Sequence, residues 1–128
     1  MKKILITGGA GYIGSMLSTE LVNLGYEVTV VDLMRFNRNS LDHLYFYKNF
    51  KFINGDVRDK NLIKKIIKKK DFIIPLAALV GAPLCDKHPK ETIQTNLNSI
   101  KDLLKLKNKR VKMIYLTTNS GYGIGEKN

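Results

Sequence analysis

The chain has a single cysteine, no tryptophan, three prolines and half as many acidic residues as basic ones. Cys85 on its own excludes an internal disulfide. With Asp86 and His88 it makes three close ligand types in "LCDKHP" and no fourth, which falls short of a zinc pattern, so no metal is expected. Long hydrophobic runs are also missing. The longest uncharged apolar stretch, Phe72 to Leu84, is broken by Pro75 and Pro83 and is too short to cross a bilayer. The opening "MKKILITGGAGYIGSML" imitates a secretory signal, but glycines at 8, 9, 11 and 14 interrupt it and no small-residue cleavage site follows. A cytoplasmic protein without a membrane partner is expected. The shortage of acids, 11 against 22 basic residues, gives a net charge of +11 and invites a nucleic-acid reading. The excess is nearly all lysine, however, scattered from Lys2 to Lys127 without a focused patch, and no nucleic-acid partner is expected.

What the chain does have is glycine, concentrated at its start. "ITGGAGYIG" would ruin a helix or a strand, so it belongs where the backbone turns sharply or is approached closely. Before it, Lys3–Thr7 reads as a short buried strand; after it, Tyr12–Leu24 reads as a helix stopped by Gly25. A glycine-rich turn from strand to helix is a phosphate cradle, because free N–H groups and the positive helix end face an anion.

Strand and helix signals then alternate. "EVTVVDL" is a second strand, "NSLDHLYFYKN" a short helix with Ser40 as its cap, and "FKFING" a third strand. "DKNLIKKIIKK" is a helix with Leu62, Ile63, Ile66 and Ile67 on one face and lysines 64, 65, 68 and 69 on the solvated other. "DFIIPLA" is a fourth strand ending near Pro75, residues 90–106 form a long helix, and "VKMIYLTT" is a fifth strand. With 44% hydrophobic residues the chain makes one globular unit with a core of its own. The alternation implies an α/β Rossmann-type doubly wound parallel sheet in the order 3-2-1-4-5, cut off after the fifth strand. Ligands are expected at the carboxyl ends of its strands. Asp32 closes the second strand, where a carboxylate accepts hydrogen bonds from both adenosine ribose hydroxyls and repels a 2′-phosphate. The expected cofactor is therefore NAD.

At these residues the chain resembles the extended short-chain dehydrogenase/reductase family, the NAD-dependent nucleotide-sugar epimerases and dehydratases. "TGGAGYIG" matches that family's TGxxGxxG motif, and "GDVRD" its segment after the third strand, which implies that Asp56 and the Val57 backbone meet the adenine. "PLAALVG" resembles the loop after the fourth strand, with Pro75 in place of a common His, so that Leu76, Ala77 and Ala78 carry over. "TNLNSIKDLL" resembles the helix that starts at the family's Asn, here Asn96. The cofactor-binding set implied is Gly8, Gly11, Tyr12, Ile13, Gly14, Asp32, Asp56, Val57, Leu76, Ala77, Ala78, Asn96 and Thr117.

In "YLTTNSGYG" the resemblance makes Thr118 the catalytic hydroxyl that holds the substrate's oxygen. Asn119 and Ser120 follow it where dehydratases have Asp and Glu. An amide cannot act as a general acid near neutral pH, which favours an epimerase or reductase over a dehydratase. The family's Tyr-x-x-x-Lys pair has one match in spacing, Tyr47 and Lys51, but it precedes the third strand, on the wrong side of the fold. The true pair is expected beyond Asn128, together with the substrate-binding region. Residues 1–128 thus read as an incomplete NAD-binding domain that, alone, binds dinucleotide at best. The whole enzyme is expected to be a homodimer that moves hydride between NAD and a carbon, commonly C4, of a nucleotide sugar. A dehydratase, a reductase or a non-catalytic dinucleotide sensor are the alternatives.

Overall fold

The computed structural model describes residues 1–36 and 38–117. Its strands form where apolar, largely β-branched residues run without interruption. They are β1 (Lys3–Thr7), β2 (Glu27–Asp32), β3 (Phe50–Asn54), β4 (Phe72–Pro75) and β5 (Lys112–Met113). All pair in parallel in the order β3-β2-β1-β4-β5, the expected topology. Such a sheet has to be covered on both faces, which is why Ile4 to Thr7 and Val28 to Val31 are buried residue after residue rather than alternately.

The helices supply that cover. On one face Ile4, Ile6, Val28, Val30 and Ile74 pack with Val22 of α1 (Tyr12–Asn23) and with Leu41 and Leu44. On the other face Leu5, Val31 and Ile73 pack with Ile63 and Ile67 of α2 (Lys60–Ile67) and Leu103 of α5 (Ser99–Leu106). Lysines 64, 65, 68 and 69 are exposed on or just past α2, the solvated face that the pattern implied. The helix starts where the Asp59 carboxylate accepts from the N–H groups of Asn61 and Leu62, at 2.9 and 3.0 Å.

Three expectations change. Residues 39–49 give only a 3₁₀ turn at Asp42–Leu44. Leu41 and Leu44 are fully buried, but Tyr45, Phe46 and Tyr47 are exposed, so no apolar stripe continues to hold a helix on the sheet. Ser40 caps nothing there; its hydroxyl donates to the carbonyl of Ala10 at 2.8 Å and straps this segment to the glycine loop. The long helix expected at 90–106 is helical throughout but composite: α4 (Pro89–Thr92), which follows a separate α3 (Ala82–Lys87), passes through a π-helical stretch at Ile93–Asn98 into α5. The fifth strand is shorter than "VKMIYLTT". Its ladder goes no further than the bond from the N–H of Ile114 to the carbonyl of Ile73, and Ile114, Tyr115 and Leu116 are about half exposed.

Candidate dinucleotide site

Four loops meet at the carboxyl end of the sheet and, with Glu91 and Thr95 from the helical segment beyond β4, wall a single cleft. They are the glycine loop after β1 and the turns after β2, β3 and β4. Backbone bonds fix their spacing. The N–H of Gly8 donates to the carbonyl of Val31, that of Gly55 to Asp32, and that of Leu76 to Thr7, at 2.8 to 3.1 Å.

The glycines answer to different demands. Gly8 has φ +74°, and a Cβ there would collide with the backbone of Leu76 and Ala77. At Gly14, inside α1, a Cβ would lie 2.5 Å from the carbonyl oxygen of Gly8 and 2.6 Å from the Cα of Gly9. Gly11 has ordinary extended backbone (φ −71°, ψ 177°), and its Cβ would meet only the Gly8 oxygen, at 3.3 Å. Packing therefore demands glycine at 8 and 14, whereas at 11 it leaves the cleft wall bare. Gly11 is also the N-terminal cap residue of α1, and no side chain among the described residues caps that end. The first-turn N–H groups and the helix dipole stand open to an anion.

Asp32 sits at the next corner. One carboxylate oxygen accepts from the N–H of Ala10 at 3.0 Å, the other from the N–H of Met34 at 2.7 Å. A carboxylate offers about four acceptor positions, so about two remain, one on each oxygen, which matches a vicinal diol. Met34 takes a left-handed backbone (φ 52°), uncommon without glycine, and so carries the chain from the Asp32 contact into the cleft wall at Arg35 and Phe36.

The same wall carries an ionic chain that local sequence gave no reason to expect. The Nε of Arg58 donates to both oxygens of Asp56 at 2.9 Å, and its Nη1 lies 3.2 Å from Glu91 on α4. Glu91 also accepts from Arg35, at 2.6 Å. The Arg58 guanidinium holds the Asp56 carboxyl below the usual carboxylate range. Glu91 is lowered likewise, foremost by its hydrogen bond from Arg35. Both partners of Glu91 lie far off in sequence, so spacing carries no signal for it. Arg58 follows Asp56 by two residues, a local spacing that lets its guanidinium fold back onto the carboxylate.

Of the residues singled out beforehand, Gly8, Gly11, Asp32, Asp56, Val57, Leu76, Ala77 and Ala78 line the cleft. Gly14 lies behind it, against the loop backbone. Tyr12 and Ile13 are 85% and 57% exposed at the start of α1, outside the cleft lining. The amide of Asn96 is spent on the Leu79 backbone, accepting from its N–H at 2.8 Å and donating to its carbonyl at 2.7 Å, so it positions the loop after β4. Thr117 is exposed beyond β5, and Thr118 lies outside the described residues. Tyr47 and Lys51 sit at the amino end of β3, at the far end of the sheet from the cleft. Among the described residues no cluster of ligand side chains could hold a metal, and no helix is long and apolar enough to cross a membrane.

Comparison with known proteins agrees with this geometry. The profile of the NAD dependent epimerase/dehydratase family matches residues 4–128. The chain is 36% identical over 126 residues to a UDP-N-acetyl-alpha-D-glucosaminuronate decarboxylase of Bacillus cytotoxicus, covering 97% of this chain and 39% of that protein. It is 35% identical over 130 residues to a UDP-glucose 4-epimerase of Lactobacillus helveticus, covering 98% and 38%. Among solved structures, the UDP-Glc/GlcNAc 4-epimerase of Campylobacter jejuni superposes with a TM-score of 0.85 at 26% identity, over 96% of this chain and 39% of that one. The chain thus spans about two-fifths of the length of these relatives. NAD, which the cleft fits through its bare glycine wall and the Asp32 carboxylate, is the cofactor of the family. The chain belongs to the NAD-dependent epimerase/dehydratase family.

Proposed function

We propose that residues 1–128 are the cofactor-binding part of a cytoplasmic, homodimeric enzyme that epimerises a nucleotide sugar at a carbon, commonly C4. The observation that carries this is the cleft itself, where the Gly8–Gly14 turn, the half-occupied Asp32 carboxylate and the Asp56–Val57 segment face one space. The chain's own residues divide the work. The α1 amino end and Gly11 receive the diphosphate, Asp32 the ribose diol, and Asp56 and Val57 flank the adenine. Thr118 holds the sugar oxygen, and the acid–base pair lies in the remainder of the enzyme. NAD⁺ bound there would supply a hydride acceptor that, once reduced, returns the hydride.

A decarboxylase is the competing reading, since the Bacillus cytotoxicus relative carries that name. The full-length protein, given NAD⁺ and a panel of UDP-, CDP- and dTDP-linked sugars and uronic acids, tests both. Interconversion of two epimers without net consumption of NAD⁺ is expected. Release of CO₂ from a uronic acid substrate would replace the epimerase reading, and loss of water to a deoxy-keto sugar would make it a dehydratase. Thr118→Val is expected to lower kcat about a hundredfold or more while NAD⁺ affinity stays within twofold; an unchanged kcat removes Thr118 from the chemistry.

A further inference from the structure

We propose that Glu91 sets the dinucleotide preference of the cleft by holding away the Arg35 guanidinium, which would otherwise receive a 2′-phosphate. The inference rests on the reading that Asp32 meets the adenosine ribose, and deepens it.

Three acids, Asp32, Asp56 and Glu91, and two arginines, Arg35 and Arg58, share the cleft wall. Their pairings are unequal. Asp56 is engaged by Arg58 through both oxygens, and Asp32 is bonded to backbone N–H groups. Among the described residues the ion pair of Arg35 is with Glu91, at 2.6 Å. Arg58 divides its guanidinium between Asp56 and the same Glu91. One carboxylate on α4 therefore occupies cations from two separate loops. Its side chain is only 24% exposed, so water weakens the contact less than at an open surface.

Arg35 follows Asp32 by three residues, on the turn that Met34 bends into the cleft wall. A guanidinium beside the ribose acid is what accommodates a 2′-phosphate in dinucleotide folds, and its planar fork suits phosphate oxygens. The group is thus present here, but already paired. A 2′-phosphate would have to face Asp32 and also compete with Glu91 for Arg35; a free 2′-hydroxyl meets neither obstacle. Glu91 acts on the cofactor through Arg35, as a positioning residue.

The test is equilibrium titration of the full-length protein with NAD⁺ and with NADP⁺, for the parent and for Glu91→Gln, Arg35→Ala and the double variant. In Glu91→Gln the affinity for NADP⁺ relative to NAD⁺ is expected to rise about five- to tenfold, the scale of one partly screened charge contact, and the gain should shrink as salt is raised. Adding Arg35→Ala to Glu91→Gln should abolish that gain, whereas Arg35→Ala alone should leave the ratio close to the parent's, because the arginine it removes is already masked. If Glu91 merely staples α4 to the cleft, Glu91→Gln weakens both dinucleotides alike and the ratio stays put; that overturns the proposal. A gain that survives loss of Arg35 overturns it as well. Should Glu91→Gln not fold, Glu91→Ala carries the same expectations. A parent that binds neither dinucleotide would instead overturn the cleft assignment, and would do so before any variant is made.

Discussion

Replacing Gly14 by alanine sets helix propensity directly against packing. Gly14 lies in the first turn of α1, where alanine is worth about 1 kcal/mol more than glycine in an exposed helix. The added methyl, however, would sit 2.5 Å from the Gly8 oxygen, 2.6 Å from the Gly9 Cα and 2.9 Å from the Gly9 carbonyl carbon. All three are backbone atoms of a loop tied to β2 by the Gly8–Val31 bond, so nothing flexible can give way. Overpacking of this kind costs about 1–3 kcal/mol, and contact with backbone puts it at or above the top of that span. After subtracting the propensity gain, a net loss of about 2 kcal/mol remains, a fall in Tm of about 3 °C for a protein of the relatives' length, about 320 residues. Two controls separate the causes. Gly25→Ala, with φ +83° and nothing within 4 Å of its Cβ, should lose only the left-handed backbone penalty, about 1 kcal/mol. Gly11→Ala, on ordinary backbone, should melt within about a degree of the parent yet bind NAD⁺ at least about tenfold more weakly, its methyl standing on the proposed diphosphate path. A Gly14→Ala protein as stable as the parent would refute the packing account, and a Gly11→Ala protein with parental affinity would move the cradle elsewhere.

Asn96→Ala should cost about 1–2 kcal/mol by releasing the Leu79 N–H and carbonyl, and should speed amide exchange in the loop after β4; unchanged exchange there would contradict the positioning role. Asp59→Ala should cost about 1 kcal/mol by uncapping α2, read as a shift in the denaturation midpoint without a change in slope. Asp56 and Glu91 titrate below their ordinary values in the fold, so the unfolded chain binds more protons as pH falls. Their contribution is complete above about pH 4–5 and is lost as pH drops through the folded values below that. Denaturation curves from pH 6 to 2.5 should show this loss, and Asp56→Asn should flatten it; an equal slope in the variant would exonerate the pair.

The parallel sheet and the order of its strands were legible because the evidence for them is local. "KILIT", "EVTVVD" and "FIIP" are continuous apolar runs separated by helix patterns, and one topology satisfies them. That the glycine loop and Asp32 meet at one cleft was legible for the same reason, as a motif in chain order. What escaped depends on meetings between distant residues. Ser40 looked like a cap because caps are local, but its hydroxyl found Ala10, thirty positions away. Glu91 and Arg35 are 56 residues apart and join only once β2 and β4 lie in one sheet. The π-helical stretch at Ile93–Asn98 keeps helical periodicity nearly intact, so the pattern of 90–106 could not betray it.

The place of β1 in the sheet has a consequence in time. It is synthesised before the other four strands, and it lies in the middle, with Ile4 paired to Val28 on one side and to Phe72 on the other. At ordinary elongation rates Phe72 is made roughly 3 to 14 seconds after Ile4. Throughout that interval one side of "KILIT" has no partner strand, and closing the gap requires ordering the intervening chain before the pairing rewards it. The most buried strand of the finished protein is therefore, during its making, an open apolar edge. A substitution that delays β4, even one harmless to the folded state, would lengthen that exposure and lower the yield of native protein.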